Sequence, residues 1–507
     1  MNKTKKTALN AITQIISVFV QSVFLLFVTK IIISNIGSDY NGLTSTASQL
    51  LTFLLLLEGG FSLASLVKLY KPFNENNYEE LSKYLSLSKK QFKKIGILYF
   101  IVGISISIIY AFFVKTSASY FEVVIIFALS VASSSFSVYY VTKYRLIYQV
   151  SQSEYIIYII QTIFYILMYS AEILVAIFAK DILLVRLCVL VFQVFQSFVI
   201  GFDARRRFKR IEFNASADGV EIKGTKDVFF SRIGGLVYSS APVLFISTFV
   251  GTIFTSVYAV YNSVISVVSN AINALLIAPR NALGQIVHEN DNKRLNSIFN
   301  EYEYISSLSL SILCSTTFAL IIPFVRIYTK GVDDIDYINV LLAVLLVLNS
   351  ALQMIHIPSG TCIEIAGHFK AIKIIQLIAA ALIIILSTVG ALVWGIYGIL
   401  LAKVITSLYL CVAETVYVRK NILKTNPLFF FKNTLPTVLI AVIISIFEFL
   451  LLRNKAVSII GFIAYGFAII AINTVVLCFV GIVFNRNSFL SLINRTKNLI
   501  FKRWMKR

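Results

Sequence analysis

Two arginines at the ends of apolar segments are the side chains of this chain best suited to bind an anion. Arg232 lies one turn into an apolar segment, and Arg280 lies at the far end of the next one. A charged side chain in a membrane segment costs roughly 2.5–3.5 kcal/mol on insertion scales, so such residues mark function by default. Guanidinium groups match the oxygens of phosphate. We therefore predict that Arg232 and Arg280 bind phosphate groups of a substrate.

Other charged residues in apolar segments have simpler interpretations. Lys30, Arg186, Arg326 and Lys403 lie near segment ends, where long basic side chains usually extend to the membrane surface. Glu58 is followed by two glycines, and a carboxylate in such a segment needs a cation or a proton. We expect a structural ion pair for Glu58, with a coupling-proton site as the alternative.

Polar side chains recur at steps of three or four residues in two further segments, so each set occupies one helical face. A shift of 214 residues superposes Ser48 on Asn262 and Thr52 on Ser266. Ser and Asn also pack membrane helices together, which is the simpler explanation for any single residue. Two matching sets instead favour one water-filled cavity. The first set is Asn41, Ser45, Ser48 and Thr52. The second set is Tyr258, Asn262, Ser266, either Ser269 or Asn270, and Asn273. The walls of the cavity would be completed by Gln14, Ser17 and Gln21.

Short motifs that repeat at this spacing indicate a tandem duplication. Ile36-Gly37-Ser38 recurs as Val250-Gly251-Thr252, each at the start of a segment with a polar set. Asn74-Glu75-Asn76-Asn77 recurs as His288-Glu289-Asn290-Asp291 after each of these segments. With an even number of crossings per copy, both halves keep the same orientation. Transporters with such parallel repeats place a substrate path between two matching bundles.

The composition predicts a membrane protein, because 58% of the 507 residues are hydrophobic and only 14% are charged. A helix needs roughly 20 apolar residues to cross the bilayer. The apolar runs are continuous, which excludes the alternating strands of an outer-membrane barrel. The predicted crossings are 9–33, 42–66, 95–114, 120–142, 155–179, 182–202, 228–249, 253–277, 304–328, 337–357, 371–393, 396–417, 432–452 and 456–484.

The predicted fold class is all-α polytopic, with two pseudo-symmetric six-helix lobes and two C-terminal helices, about 14 transmembrane helices in all. The longest connections, such as 67–94 and 278–303, fall on one side of the membrane. The predicted domains are 1–210, the first lobe; 211–227, a cytosolic linker; 228–420, the second lobe; and 421–507, two extra helices with a basic tail.

The net charge of +21 is concentrated on that same side. This is the positive-inside pattern, which places both termini in the cytosol. Clusters such as Arg205-Arg206-Arg207 then contact anionic lipid, and no nucleic-acid partner is expected.

We predict no metal site, no cofactor and no enzyme active site. The cysteines are scattered and the three histidines lack the spacing of metal ligands. A membrane polymerase or glycosyltransferase generally needs a sizeable external loop with catalytic residues, and the external connections are short. The acidic stretch 333–336 is interpreted as a solvated turn.

Several motifs follow the pattern of one family. They are Ile36-Gly37 through Tyr40-Asn41-Gly42-Leu43, Leu57-Glu58-Gly59-Gly60, Leu69-Tyr70-Lys71-Pro72, Lys226 to Gly235, Val257 to Asn262, and Ala366 to Lys370. Together they resemble the bacterial polysaccharide-unit flippases, the polysaccharide transporter family of the Multidrug/Oligosaccharidyl-lipid/Polysaccharide (MOP) exporter superfamily. The sequence departs from that pattern at Gly59, where the family usually has Leu, and at Ala402-Lys403, where Gly-Thr is common.

The resemblance implies a flippase of the bacterial plasma membrane. Its cargo would be an undecaprenyl-diphosphate-linked oligosaccharide unit, moved from the cytosolic to the outer leaflet by alternating access for capsule, O-antigen or exopolysaccharide synthesis. Lys30 matches a position that is often basic in the family and joins Arg232 and Arg280 as a diphosphate ligand, while the polar sets contact the sugar. The implied partners are this lipid-linked substrate, membrane lipids and a polysaccharide polymerase. A multidrug or cation antiporter of the same superfamily is the nearer alternative, and a polymerase the more remote one.

Overall fold

The computed structural model describes residues 3–58, 60–216, 222, 225–287, 291–453 and 458–484. In these ranges the chain consists of helices joined by turns, without strands. The repeat residues 288–290, part of the predicted linker and the basic tail 485–507 lie outside the described residues. The helices are α1 (Lys3–Asn35), α2 (Ser38–Leu54), α3 (Phe61–Asn74), α4 (Tyr78–Tyr110), α5 (Tyr120–Tyr140), α6 (Thr142–Val150), α7 (Tyr155–Phe178), α8 (Ile182–Arg207), α9 (Thr225–Phe245), α10 (Thr252–Ile286), α11 (Asn292–Tyr328), α12 (Val340–Ile355), α13 (Ile357–Ile365), α14 (Phe369–Trp394), α15 (Ile396–Tyr417), α16 (Leu428–Leu452) and α17 (Ile459–Phe484).

The predicted membrane crossings are confirmed in number and nature. Thirteen of the described helices are long and apolar enough to span a bilayer, and α2 with α3 forms a fourteenth candidate. The candidate crossing predicted over 42–66 is bent, because the chain turns by 49° between α2 and α3. A 3₁₀ turn (Leu55–Glu58) interrupts the helix there. Gly60 then adopts a φ of 73°, which glycine reaches without strain.

Large apolar side chains cover the outer surfaces of these helices. Phe112, Phe121 and Ile460 are 72%, 74% and 82% exposed. Soluble proteins rarely expose extended apolar surface of this kind, whereas helices that satisfy their own backbone hydrogen bonds are stable in hydrocarbon. The protein is therefore a multi-pass membrane protein.

The connections predicted over 67–94 and 278–303 are largely helical rather than open. The α4 helix begins well before its apolar part, and Asn77 Oδ1 accepts a hydrogen bond from the Glu80 N–H over 3.1 Å at its start. Asp291 Oδ1 accepts two N–H groups at the start of α11, over 3.1 and 3.0 Å. These caps satisfy amides that a helix start leaves unpaired, so the membrane helices extend beyond their apolar parts.

The chain divides into two compact units. The first unit has a core in which α1, α2, α4, α5, α7 and α8 pack together around residues such as Leu43 and Ile126. In the second unit, α11 packs against α12, α16 and α17, and α14 packs against α15. The predicted linker at 211–227 remains a prediction from the duplication. Unit 1 comprises Met1–Val257 and Val332–Ile335, and unit 2 comprises Tyr258–Gly331 and Asp336–Arg507.

The two copies of the repeated motif start their helices with the same backbone conformation. Gly37 precedes α2 with φ 122° and ψ 158°, and Gly251 precedes α10 with φ 138° and ψ 159°. Residues with a side chain rarely adopt such values. The duplication that appears in the sequence is therefore also present in the local structure.

A pair of glycines allows α14 and α15 to approach closely in unit 2. A Cβ atom added to Gly390 would lie 2.5 Å from the carbonyl oxygen of Gly398, and one added to Gly398 would lie 2.0 Å from that of Gly390. Small residues permit this kind of contact between membrane helices.

Gly398→Ala should therefore destabilise the protein by about 1–3 kcal/mol, because the two backbones must separate. Gly466→Ala is the matched control, since the nearest atom to its added Cβ, on Leu320, lies at 3.7 Å. Thermal unfolding in detergent can be followed by a thiol-reactive dye, because Cys314, Cys362 and Cys411 are buried. Equal melting temperatures of the two variants would contradict the close contact.

Candidate functional site

The first polar set lies on α2 in unit 1 and is only partly accessible. Asn41 is buried, and its Nδ2 donates to Ser256 Oγ over 2.7 Å. Ser48 is exposed and Thr52 is half-buried. The Ser48 hydroxyl donates to the Thr44 carbonyl over 2.9 Å, and the Thr52 hydroxyl donates to the Ser48 carbonyl over 3.0 Å. A ligand can therefore reach the second half of this set but not Asn41.

The second polar set lies along an exposed edge of α10 in unit 2. Ser266, Asn270 and Asn273 are exposed and Asn262 is half-buried, all within the candidate span Thr252–Ile277. The Ser266 hydroxyl donates to the Asn262 carbonyl over 2.8 Å, whereas Asn270 and Asn273 hydrogen-bond to none of the described side chains. An amide placed in hydrocarbon without partners costs roughly 2–7 kcal/mol. This edge of α10 therefore suits water or a polar ligand.

Tyr258, which was predicted to line the cavity, lies inside unit 2 rather than on this exposed edge. It is 2% exposed. Its hydroxyl accepts a hydrogen bond from Lys403 Nζ over 3.1 Å, and this nitrogen lies 5.8 Å from the centre of the ring. Lys403 is itself 7% exposed, so it does not extend to the membrane surface as interpreted. Tyr258 helps to compensate the burial of this lysine.

Arg280 is an accessible cation in the part of α10 that follows the candidate span. Its side chain is 56% exposed, and its Nη2 lies 3.9 Å from Glu364 Oε2. Exposed pairs of this kind contribute little stability, so the guanidinium can exchange Glu364 for a phosphate group. Lys30 is half-buried on α1 and forms no ion pair with a described acid. Arg232 lies on α9, but its side chain is outside the described residues.

The remaining predicted residues occupy separate places in unit 1. Gln14 is exposed on α1, and Gln21 is half-buried beside Tyr169. Glu58 Oε1 accepts a hydrogen bond from the Ser62 N–H over 3.3 Å at the start of α3. Within the described residues Glu58 forms no ion pair with Lys or Arg. Its hydrogen bond to the Ser62 N–H instead caps the start of α3.

A polar cluster around Asp39 fixes the start of α10 within unit 1. Asp39 Oδ2 accepts hydrogen bonds from Thr116 Oγ1 over 2.7 Å and from the N–H and hydroxyl of Ser117 over 2.7 and 2.6 Å. The Thr252 hydroxyl donates to the other oxygen of Asp39. The Thr252 N–H donates to the Lys115 carbonyl over 2.9 Å. One carboxylate thus joins the starts of both repeated helices to the segment that follows α4.

Ser38, the counterpart of Thr252 in the other repeat, is held in a similar way. Its N–H and its hydroxyl each donate to an oxygen of Asp334 over 2.7 Å. Asp334 is exposed and lies in a bend, as the interpretation of this stretch as a solvated turn expects, and it also binds the start of α2. At Gly42, a Cβ atom would lie 1.7 Å from the Thr252 carbonyl oxygen. The repeated helix starts are therefore positioned by backbone contact as well as by carboxylates.

A buried histidine–carboxylate pair in unit 2 was not predicted from the sequence. Glu414 is 2% exposed. Its Oε2 lies 2.7 Å from His356 Nδ1, and its Oε1 accepts a hydrogen bond from Gln376 Nε2 over 3.2 Å. Gly360 leaves the necessary room, because a Cβ atom there would lie 2.6 Å from Oε2. The imidazole and the carboxylate thus form a buried, directly hydrogen-bonded pair.

The described residues contain no group of three or more His, Cys, Asp or Glu side chains placed to bind a metal ion. An anion can instead be bound by Arg280, and polar groups by the exposed edge of α10. Chemically, the described arrangement is suited to binding and release of a polar, anionic molecule.

The fold is similar to that of solved transporters and flippases. The lipid II flippase MurJ, in an inward closed conformation, aligns with a TM-score of 0.67 and 14% identity over 91% of this chain and 97% of that chain. A multidrug resistance MATE family transporter of the MOP superfamily, in an inward-facing conformation, aligns with a TM-score of 0.65 and 13% identity over 80% of this chain and 95% of that chain. A multidrug resistance MATE family transporter in an outward-facing conformation aligns with a TM-score of 0.53 and 14% identity over 84% of this chain and 97% of that chain. The sequence matches no protein-family model and no curated protein.

Proposed function

We propose that this protein is a flippase that moves a lipid-diphosphate-linked oligosaccharide from one leaflet of the membrane to the other. The observation that carries the proposal is that α10 exposes Asn270 and Asn273 within a membrane span and Arg280 just beyond it. Amide groups pair with sugar hydroxyls, and a guanidinium pairs with phosphate oxygens. The fold shared with a solved lipid II flippase supports a lipid-linked cargo.

Such a substrate needs a protein because its head group is too polar to cross hydrocarbon. Each sugar hydroxyl that loses water without a replacement partner costs roughly 2–7 kcal/mol, and the diphosphate adds a larger ionic penalty. The isoprenoid tail gains about 0.8 kcal/mol per buried methylene and stays among the lipids. The protein therefore has to bind the head group while leaving the tail in an apolar environment.

Unit 2 also offers an apolar groove that suits the tail. The groove has a volume of about 300 Å³ and is lined by side chains of α11, α12 and α16, including Leu310, Phe318 and Val442. Aliphatic walls of this kind match an isoprenoid chain. We propose that the tail lies against such apolar surface while the head group contacts the polar edge of α10.

We propose that the mechanism is alternating access, with Arg280, Arg232 and Lys30 on the diphosphate and the accessible polar residues on the sugar. The positive-inside pattern supports an orientation with both termini in the cytosol of a bacterial plasma membrane. In this orientation Arg280 meets the substrate at the cytosolic leaflet, and the unit is released outside for capsule, O-antigen or exopolysaccharide assembly.

A multidrug or cation antiporter is the second candidate. The fold shared with MATE transporters favours it, and the buried pair of His356 and Glu414 could exchange a proton for a cation. Against it, an exposed arginine beside the polar edge of α10 repels cationic drugs. We therefore favour the anionic lipid-linked cargo.

Arg280→Gln should lower surface polysaccharide at least about tenfold, because a hydrogen bond to a charged group contributes about 1.5–3 kcal/mol. Surface polymer and membrane abundance would be measured in a deletion strain that expresses each variant. Glu364→Gln is the matched control, since it removes the partner 3.9 Å away but keeps the cation; this variant should keep near-normal polymer. Normal polymer in Arg280→Gln at equal abundance would contradict the role of Arg280.

A further inference from the structure

Lys143 is a buried cation near the start of α6 in unit 1. It is 5% exposed. Its Nζ lies 4.7 Å from the ring centre of Tyr140 and 4.9 Å from that of Tyr144. Contacts with aromatic rings offset part of the free energy that is lost when an ammonium group leaves water. They leave its positive charge without a counterion.

The charged groups that act on Lys143 are cationic. Burial, followed by the charges of Lys89 and Arg205, lowers the pKa of the Lys143 ammonium to about 8. Within the described residues no carboxylate forms an ion pair with Lys143. Arg205 Nε donates to the Tyr144 hydroxyl over 3.0 Å, and Lys89 donates to the side-chain oxygen of Asn214. Three cations from α4, α6 and α8 are thus assembled around a tyrosine pair.

Two other buried cations among the described residues each donate a hydrogen bond in addition to their contacts with aromatic rings. Arg419 donates to Glu303, and Lys403 donates to Tyr258. A buried charge without compensation is strongly unfavourable, and nearby like charges increase that penalty. The charges around Lys143 therefore favour the binding of an anion nearby.

The position of α6 indicates where such an anion would come from. This helix lies between the candidate spans that end at Tyr140 and begin at Tyr155. A helix that connects the ends of two successive spans lies on the side where lipid head groups contact a membrane protein. Neutral head groups also carry phosphate, but only an anionic lipid brings a net negative charge.

We propose that Lys143, Lys89 and Arg205 form a binding site for the phosphate group of an anionic membrane lipid. Ammonium and guanidinium groups supply the hydrogen-bond donors that phosphate oxygens accept, and Tyr140 and Tyr144 form one wall. This site uses none of the residues assigned to the transported substrate and does not depend on the proposed function. Free phosphate has the same chemistry, so the test separates the two sources.

The test uses the purified full-length protein in detergent. Thermal stability and bound lipid, the latter by native mass spectrometry, are measured after addition of phosphatidylglycerol, phosphatidylcholine or inorganic phosphate. We expect phosphatidylglycerol to bind and to raise the melting temperature, and phosphatidylcholine to do neither. If inorganic phosphate stabilised the protein as much as phosphatidylglycerol does, the site would bind free phosphate, and the proposal of a lipid ligand would be overturned.

Lys143→Gln should weaken phosphatidylglycerol binding at least about tenfold, because a charge-assisted hydrogen bond is lost. Lys143→Arg should retain binding, and Lys370→Gln, which removes an exposed lysine of unit 2, should bind like the unsubstituted protein. Lipid-free Lys143→Gln should melt no lower than the unsubstituted protein, because repulsion from Lys89 and Arg205 is relieved; a purely structural lysine would give the opposite result.

Arg205→Gln is a second variant, at an exposed position, and it should weaken binding in the same direction even if Lys143→Gln does not fold. Unchanged phosphatidylglycerol affinity in Arg205→Gln and in folded Lys143→Gln would overturn the proposal. So would equal binding of phosphatidylglycerol and phosphatidylcholine by the unsubstituted protein.

Discussion

Replacing Arg419 by methionine should destabilise unit 2 by about 3–5 kcal/mol, the usual effect of breaking a buried ion pair. Arg419 and Glu303 are 1% and 3% exposed, and Arg419 Nη2 donates to Glu303 Oε2. The guanidinium carbon also lies 5.4 Å from the ring centres of Phe299 and Phe429. Without Arg419, the carboxylate of Glu303 would be buried without its cation.

The experiment compares Arg419→Met with Lys420→Met, which changes the adjacent but exposed residue. Labelling of the buried thiols of Cys362 and Cys411 by a maleimide during heating reports the unfolding of unit 2. We expect labelling of Arg419→Met at a clearly lower temperature and no change for Lys420→Met. Equal melting of the two variants would show that the buried pair contributes little.

The double variant Arg419→Met with Glu303→Leu should recover most of the lost stability. Arg419 Nε and Nη1 and Glu303 Oε1 have no hydrogen-bond partner among the described residues. A buried pair that is incompletely hydrogen-bonded can be replaced by apolar side chains at little net loss. Failure of the second substitution to restore stability would mean that the arginine acts through its aromatic contacts instead.

Asp39→Ala should have the second large effect, a destabilisation of unit 1 by about 3 kcal/mol or more, since each lost charge-assisted hydrogen bond contributes about 1.5–3 kcal/mol. Its carboxylate accepts from Thr116, Ser117 and Thr252. Removing it leaves these donors without their acceptor where the repeated helices start. The fraction that remains monodisperse in size-exclusion chromatography after heating measures this loss.

Asp39→Asn should be less damaging than Asp39→Ala, because its one amide oxygen can still accept from Thr116 and Ser117. It should nevertheless lower stability, because no second oxygen remains to accept from Thr252. Asp181→Asn is the matched control, since Asp181 is an exposed cap that accepts from the Leu183 N–H over 2.7 Å at the start of α8, and Asn caps helices equally well. Similar heat resistance of both Asn variants would show that the Asp39 cluster is dispensable.

The apolar runs predicted the membrane helices well, because hydrophobic length alone decides which segments cross a bilayer. They did not predict the helical extensions of α4 and α11, since residues beyond the membrane are polar and their helices start at caps such as Asn77 and Asp291. The bend after α2 was also missed. It depends on the conformation of single residues such as Gly60, whose φ of 73° the sequence does not specify.

The candidate site was predicted less completely than the fold. Helical periodicity groups Ser266, Asn270 and Asn273 on one face of α10, where all three are exposed, but it could not show that Tyr258 is buried against Lys403. Contacts between distant residues decide burial. For the same reason, the pairing of Asp39 with Thr252, 213 residues apart, was not visible in the sequence. The matching glycines at 37 and 251 were the only feature of the sequence that pointed to related helix starts at these two places.

Lys143 illustrates the same limit for charge. In the sequence it is one of many basic residues between predicted crossings, and nothing in the positive-inside pattern distinguishes it from the others. Only the packing of α6 shows that it is buried between Tyr140 and Tyr144.

Reconstitution into liposomes tests the proposed transport most directly. A fluorescent lipid-diphosphate-linked oligosaccharide is placed in the membrane, and its arrival in the opposite leaflet is measured beside uptake of a cationic dye. We predict that the protein moves the lipid-linked oligosaccharide, that Arg280→Gln moves it at least about tenfold more slowly, and that the dye is not transported. Dye uptake driven by an ion gradient, without movement of the lipid-linked oligosaccharide, would contradict this account.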